Sequence, residues 1–130
     1  MEHENVARQL SEIGREYYRR GWVMGTSGNF SAVLEREPLR IAITESSAHT
    51  GRLASSQILQ IYENGTVLTP EGARASAEMR IHLAGIRKTG AGAVLHTHSV
   101  WSTLLSDRAT SGAEWPRGLA IEGYEMLKGL

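Results

Sequence analysis

Apolar residues return at helical spacing near the start of the chain. Val6, Leu10, Ile13 and Tyr17 recur at four-three-four intervals, which predicts an amphipathic helix over residues 4–20 or so. Arg19 and Arg20 suit the negative end of its dipole, and Gly21 suits its C-cap. The period then changes. After the loop-like GWVMGTSGN an apolar pattern resumes from Phe30 to Leu34, and Leu39, Ile41 and Ile43 alternate, so two strands are expected. QILQIY and TVL flank Asn64-Gly65, a strong hairpin signal. Ser76 can cap a helix whose buried face is Met79, His82, Leu83 and Ile86; this helix ends at Gly90 and leads into a strand from Ala93 to His98. Ser99 then opens a short helix through Trp101, Leu104 and Leu105. Residues 107–117, with Gly112 and Pro116, read as loop, and LAIEGYEMLKGL reads as strand followed by helix. The order predicts an α/β fold with a central sheet, partly antiparallel, and helices on its faces.

At 130 residues the length predicts a single domain, and neither internal repeats nor low-complexity tracts divide it. Lys and Arg total 14 against 14 for Asp and Glu, so no overall field favours nucleic acid or an anionic membrane, and any anion site must be local. The absence of cysteine excludes a disulfide scaffold, a thiolate metal site and a cysteine nucleophile. The start, MEHENVARQLSEIG, is charged and unlike a secretory signal, and no apolar run approaches ~18 residues; a soluble, cytoplasmic protein is expected. Leu127 and Leu130 lie in an element that has barely begun when the chain stops, so a domain incomplete at its C-terminus is also expected.

Candidate chemistry centres on GAGAVLHTHSVW. In a strand, residues i and i+2 share a face about 6.7 Å apart, so His96 and His98 point the same way. Two readings are open: convergence on one metal ion, with a third ligand still needed, or simple hydrogen bonding at a strand end. The GTSGN loop offers backbone N–H groups, the hydroxyls of Thr26 and Ser27, and the Asn29 amide. It reads either as an ordinary turn or as an anion cradle. Further hydroxyls at Thr44, Ser46, Ser47 and Ser76 add weight to a small-anion pocket. Glu78, Glu122 and Glu125 are candidates for proton chemistry, against the usual role of a helical glutamate as solvated surface. His82 falls on an apolar helix face and reads as a packed histidine. His49 lies within reach of the anion pocket but is not expected to bind metal, and His3 sits at a fraying terminus.

Taken in order, GTSGNFSAVL, LRIAITESS, SAEMRIHLA and GAGAVLHTHSVWSTLLS resemble the class II sugar-phosphate aldolase superfamily over nearly the whole chain. HTHSVWSTLLS with LAIEGYEMLKGL resembles its methionine-salvage dehydratase branch rather than the fuculose- or ribulose-phosphate enzymes. The resemblance implies a three-layer αβα fold with a mostly antiparallel sheet, one Zn²⁺ per subunit held by three histidines, and a homotetramer with sites near subunit boundaries. His96 and His98 match the first two ligands, while the third lies beyond Leu130. The dehydratase branch assigns the general acid/base role to Glu125, and the aldolase branch assigns it to Glu78, which in a dehydratase becomes a substrate-side group. Thr26, Gly28, Asn29, Ser46, Ser47 and Ser76 match the phosphate contacts.

The implied reaction is dehydration of a 2-ketose phosphate to a 2,3-diketone phosphate. The alternatives are aldolase or epimerase chemistry, or an incomplete homologue acting only as a binding subunit. Three positions depart from the pattern. Glu45 replaces a proline, Ser47 replaces a glycine that tolerates positive φ, and Thr50 replaces a lysine.

Overall fold

The first helix, α1 (Glu2–Arg19), buries Ala7, Leu10, Ser11 and Gly14 along one stripe and carries acidic residues in its first turn and Arg19 in its last. Those charges complement the helix dipole at both ends. The computed structural model of the chain describes residues 2–69 and 72–110. LAIEGYEMLKGL, with Glu122 and Glu125, lies outside the described residues. The chain divides into two units after His98.

Four strands follow α1 as an antiparallel meander: β1 (Asn29–Arg36), β2 (Leu39–Thr44), β3 (Ile58–Tyr62) and β4 (Val67–Thr69). Gly65, at φ 86, turns the expected Asn-Gly hairpin between β3 and β4. The chain then crosses through α2 (Met79–Thr89) and returns as β5 (Ala93–His96), which pairs antiparallel with β1. The order is β4-β3-β2-β1-β5, so β1 is flanked on both sides. Helix α2 ends at Gly90, whose left-handed conformation returns its N–H to the Ile86 carbonyl at 2.8 Å.

Alternation along the strands sorts the core into two clusters. Phe30, Leu34, Ala42 and Ile58 pack with Ala7 and Leu10 of α1. Ile41, Ile43 and Ile61 pack with Leu83 and Ile86 of α2. Within this unit the sheet therefore lies between α1 and α2, the three-layer, mostly antiparallel α/β arrangement expected.

Three local expectations are corrected. β5 stops at His96 rather than His98, because the His98 N–H leaves the ladder and donates to the Trp22 carbonyl at 2.7 Å. The position before α2 is Glu78 rather than Ser76, with no side-chain cap; Ser76 Oγ instead accepts the Glu78 N–H at 3.3 Å. In the second unit, α3 (Val100–Thr110) takes in residues 107–110, where the sequence pattern predicts loop. No described helix is long and apolar enough to cross a membrane.

Candidate functional site

The site forms where the chain leaves the sheet. The loop before β1 is closed by the Ser27 N–H on the Met24 carbonyl at 2.9 Å and by the Met24 N–H on Ser27 Oγ at 2.7 Å. Thr50 ties the next loop to it: its N–H donates to the Gly25 carbonyl at 2.9 Å and its hydroxyl to the Ser27 carbonyl at 2.8 Å. The Ser46 N–H donates to the Arg74 carbonyl at 2.7 Å and the Ser76 N–H to the Thr44 carbonyl at 3.2 Å, which brings the third hydroxyl segment alongside. All three segments thus line one open cavity of about 370 Å³, shared by Thr26, Gly28, Asn29, Ser46, Ser47 and Ser76 with Glu45, Glu78 and His98. Every residue matched to phosphate contacts stands on this cavity.

Ser47 adopts φ 63. The left-handed backbone that suits glycine is thus kept by serine, and the strain is borne by the loop. Gly28, at φ 77, passes so close to β5 that a Cβ there would lie 2.9 Å from the His96 carbonyl oxygen.

Glu78 is the hub of the polar groups. One carboxylate oxygen, Oε2, accepts from Asn29 Nδ2 and, at 2.6 Å, from His96 Nδ1. The Asn29 hydrogen bond holds the Glu78 carboxyl below its ordinary range, the hydrogen bond and charge of His96 and the charge of His98 act the same way, and partial burial opposes them. Glu78 is therefore ionised near neutral pH, which makes it a firm acceptor and a weak base.

The rings of His96 and His98 stand 4.7 Å apart, centroid to centroid, and tilt by 36°. Although they do not share one strand, as their spacing suggested, the two imidazoles are adjacent. With Nδ1 of His96 turned to a carboxylate, Nε2 is the ring nitrogen that a metal would take, the arrangement usual in metal-binding histidines. The donor set therefore suits Zn²⁺, although no group of three or more His, Asp or Glu side chains among the described residues is arranged to hold a metal.

His82 is buried, with Nδ1 2.7 Å from Ser31 Oγ and Nε2 against Asn29 Oδ1. It is a packed histidine, as its helix face indicated, yet it is bonded to the residue that holds Glu78. His49 packs on Tyr18, centroids 5.3 Å apart, and does not line the cavity; His3 reaches the Ile58 carbonyl at 3.2 Å. Ser31 and the double engagement of Asn29 are functional features that the sequence pattern does not single out. Their signal was two polar residues alternating on the inner face of a core strand, where buried polar groups require partners.

The class II aldolase and adducin N-terminal domain is the family whose model matches residues 8–127, and the chain belongs to that family. Over 130 residues it is 46% identical to the methylthioribulose-1-phosphate dehydratase of Methylococcus capsulatus, covering 99% of this chain and 59% of the relative. The dehydratase of the same name from Acidiphilium cryptum is 42% identical over 123 residues, covering 94% of this chain and 54% of that protein. The chain thus spans little more than half the length of these relatives. The crystal structure of L-fuculose-1-phosphate aldolase from Thermus thermophilus superposes with a TM-score of 0.63 at 31% identity, covering 75% of this chain and 48% of that one.

Proposed function

We propose that this chain is part of a methylthioribulose-1-phosphate dehydratase, a zinc-dependent hydro-lyase of methionine salvage that works in the cytoplasm as a homotetramer. The observation that carries the reading is the hydroxyl-lined cavity with the Glu78–His96 pair and His98 at its edge. It combines an anion cradle with metal-type donors. The dehydratase relatives supply the reaction.

Thr26, Gly28, Asn29, Ser46, Ser47 and Ser76 hold the substrate phosphate, spending remote binding energy to fix the reacting carbons. His96 and His98 supply two zinc donors, and the third histidine implied by the family resemblance completes the set. When bound, one Zn²⁺ per subunit polarises the substrate carbonyl and stabilises the negative charge that develops on it. Glu78, already ionised and doubly hydrogen-bonded, orients His96 and the substrate side of the site. Glu125 removes the proton next to the ketone and returns it to the departing hydroxyl, so that water leaves an enol, whose tautomerisation gives the 2,3-diketo-5-methylthiopentyl 1-phosphate.

Zinc-loaded protein incubated with 5-methylthioribulose 1-phosphate tests this by ³¹P NMR and mass spectrometry. A product one water lighter, with its carbon chain whole, is expected. A three-carbon phosphate would instead establish the aldolase reading, which the proximity of Glu78 to His96 favours. Unchanged substrate would support a binding subunit.

A further inference from the structure

Helix α2 turns a buried imidazole toward the central strand, and nothing in the proposed reaction uses it. His82 is 1% exposed, Ser31 0% and Asn29 7%, so the three form a polar chain inside an otherwise apolar layer. Chemistry fixes every proton in that chain. The Glu78 carboxylate can only accept, so the Asn29 group facing it is the NH₂, and the Asn29 carbonyl faces His82. A carbonyl can only accept, so His82 Nε2 carries the hydrogen. In the neutral ring Nδ1 is then bare, and the Ser31 hydroxyl donates to it. Burial favours that neutral form. Reversing the Asn29 amide would set oxygen against carboxylate and force the other tautomer on His82, so one end of the chain determines the other.

We infer that His82 is a positioning residue: anchored at Nδ1 by Ser31 and carrying its hydrogen at Nε2, it locks the Asn29 amide so that Asn29 presents its NH₂ to Glu78, and through Glu78 it sets the orientation of His96. The functional consequence rests on the role proposed for Glu78 and His96, but the locking itself does not. Asn29 also lines the cavity, so His82 bears on a cavity wall without lining the cavity itself.

Side-chain NMR on the whole chain reads this without turnover. Long-range ¹H–¹⁵N correlation is expected to show His82 protonated at Nε2 and bare at Nδ1, and the Asn29 amide is expected to give one downfield, slowly exchanging proton. His82→Gln keeps an N–H donor near Asn29 and should retain that proton. His82→Leu fits the apolar face and should lose it, while backbone amides of β1 and α2 stay in place. Zinc binding, titrated with the metal alone, should weaken about 10-fold in His82→Leu and recover in His82→Gln. An Asn29 amide unchanged in His82→Leu overturns the inference. If that variant does not fold, Ser31→Ala decides, since loss of the hydroxyl should free the ring and broaden the Asn29 signal, and an unaltered Asn29 signal there overturns it equally. Failure of the wild-type chain to bind zinc would count against the metal reading alone, since the Asn29 signal still reports the locking.

Discussion

Gly28 and Ser47 face the same cavity with the same left-handed backbone and opposite chemistry. At Gly28 a methyl group would meet both positive φ and the Val23 side chain and His96 carbonyl, so Gly28→Ala should cost ~2–4 kcal/mol in urea unfolding. At Ser47 the strain is already present, so Ser47→Gly relieves it, less the extra entropy of an unfolded glycine; a gain of under about 1 kcal/mol is expected. Serine thus retains a backbone shape that its residue type disfavours, an outcome that residue preference alone argued against. His82 adds a dependence on pH. Burial lowers its pKa from 6.5, the His96 charge adds to that and the Glu78 charge opposes it, so the unfolded chain binds the extra proton first. Its contribution is complete above pH 6.5 and is lost as pH falls below that value toward its folded-state pKa. Wild-type stability should therefore decline with falling pH in that interval, and His82→Gln should flatten the decline. Equal slopes in the two proteins would refute it.

At the scale of elements, two glycine-to-alanine changes in helices should differ in sign. In α1, a Cβ on Gly14 would lie 2.8 Å from Leu53 Cδ2 and 3.0 Å from Phe30 Cε2, both buried, so overpacking outweighs improved helix propensity and a net loss of about 1–2 kcal/mol is expected. In α2, Gly85 has only Val94 Cγ2 at 4.0 Å, so Gly85→Ala should gain up to about 1 kcal/mol. Thermal melts of the two variants check both signs. The elements themselves were largely legible because their periods are local: the four-three-four stripe of α1, the alternation of β2 and the Asn-Gly turn each lie within a dozen residues. The end of β5 was not legible, because it depends on His98 bonding to Trp22, 76 positions away. The site was legible as ingredients, since His96, His98 and the hydroxyl clusters carry their chemistry in their residue types. Glu78 was singled out as a candidate acid/base, but its place as hub was not legible, since nothing in its residue type shows that Asn29 and His96 are folded onto it.

For the whole molecule, metal and fold should be linked. Zinc binding to the native state alone adds about 2.7 kcal/mol at a free concentration 100 times its Kd, visible as a rise in melting temperature that a chelator reverses. His96→Ala and His98→Ala should each abolish most of that rise, and a rise undiminished in both would place the metal elsewhere. The balanced charge leaves association with anions to the local cavity, so phosphate binding should depend on its loops rather than on a general basic surface.

Strand β1 joins these scales. Phe30 and Leu34 serve the α1 core, while Asn29 and Ser31, on the opposite face, serve the polar chain to Glu78. A single inserted or deleted residue would exchange the two faces, sending the amide into the core and the phenyl ring toward the cavity. Descendants of this chain can lengthen or rewrite the surrounding loops and so explore new substrates. Within β1, change is confined to substitution, and its reading frame is heritable only as a unit.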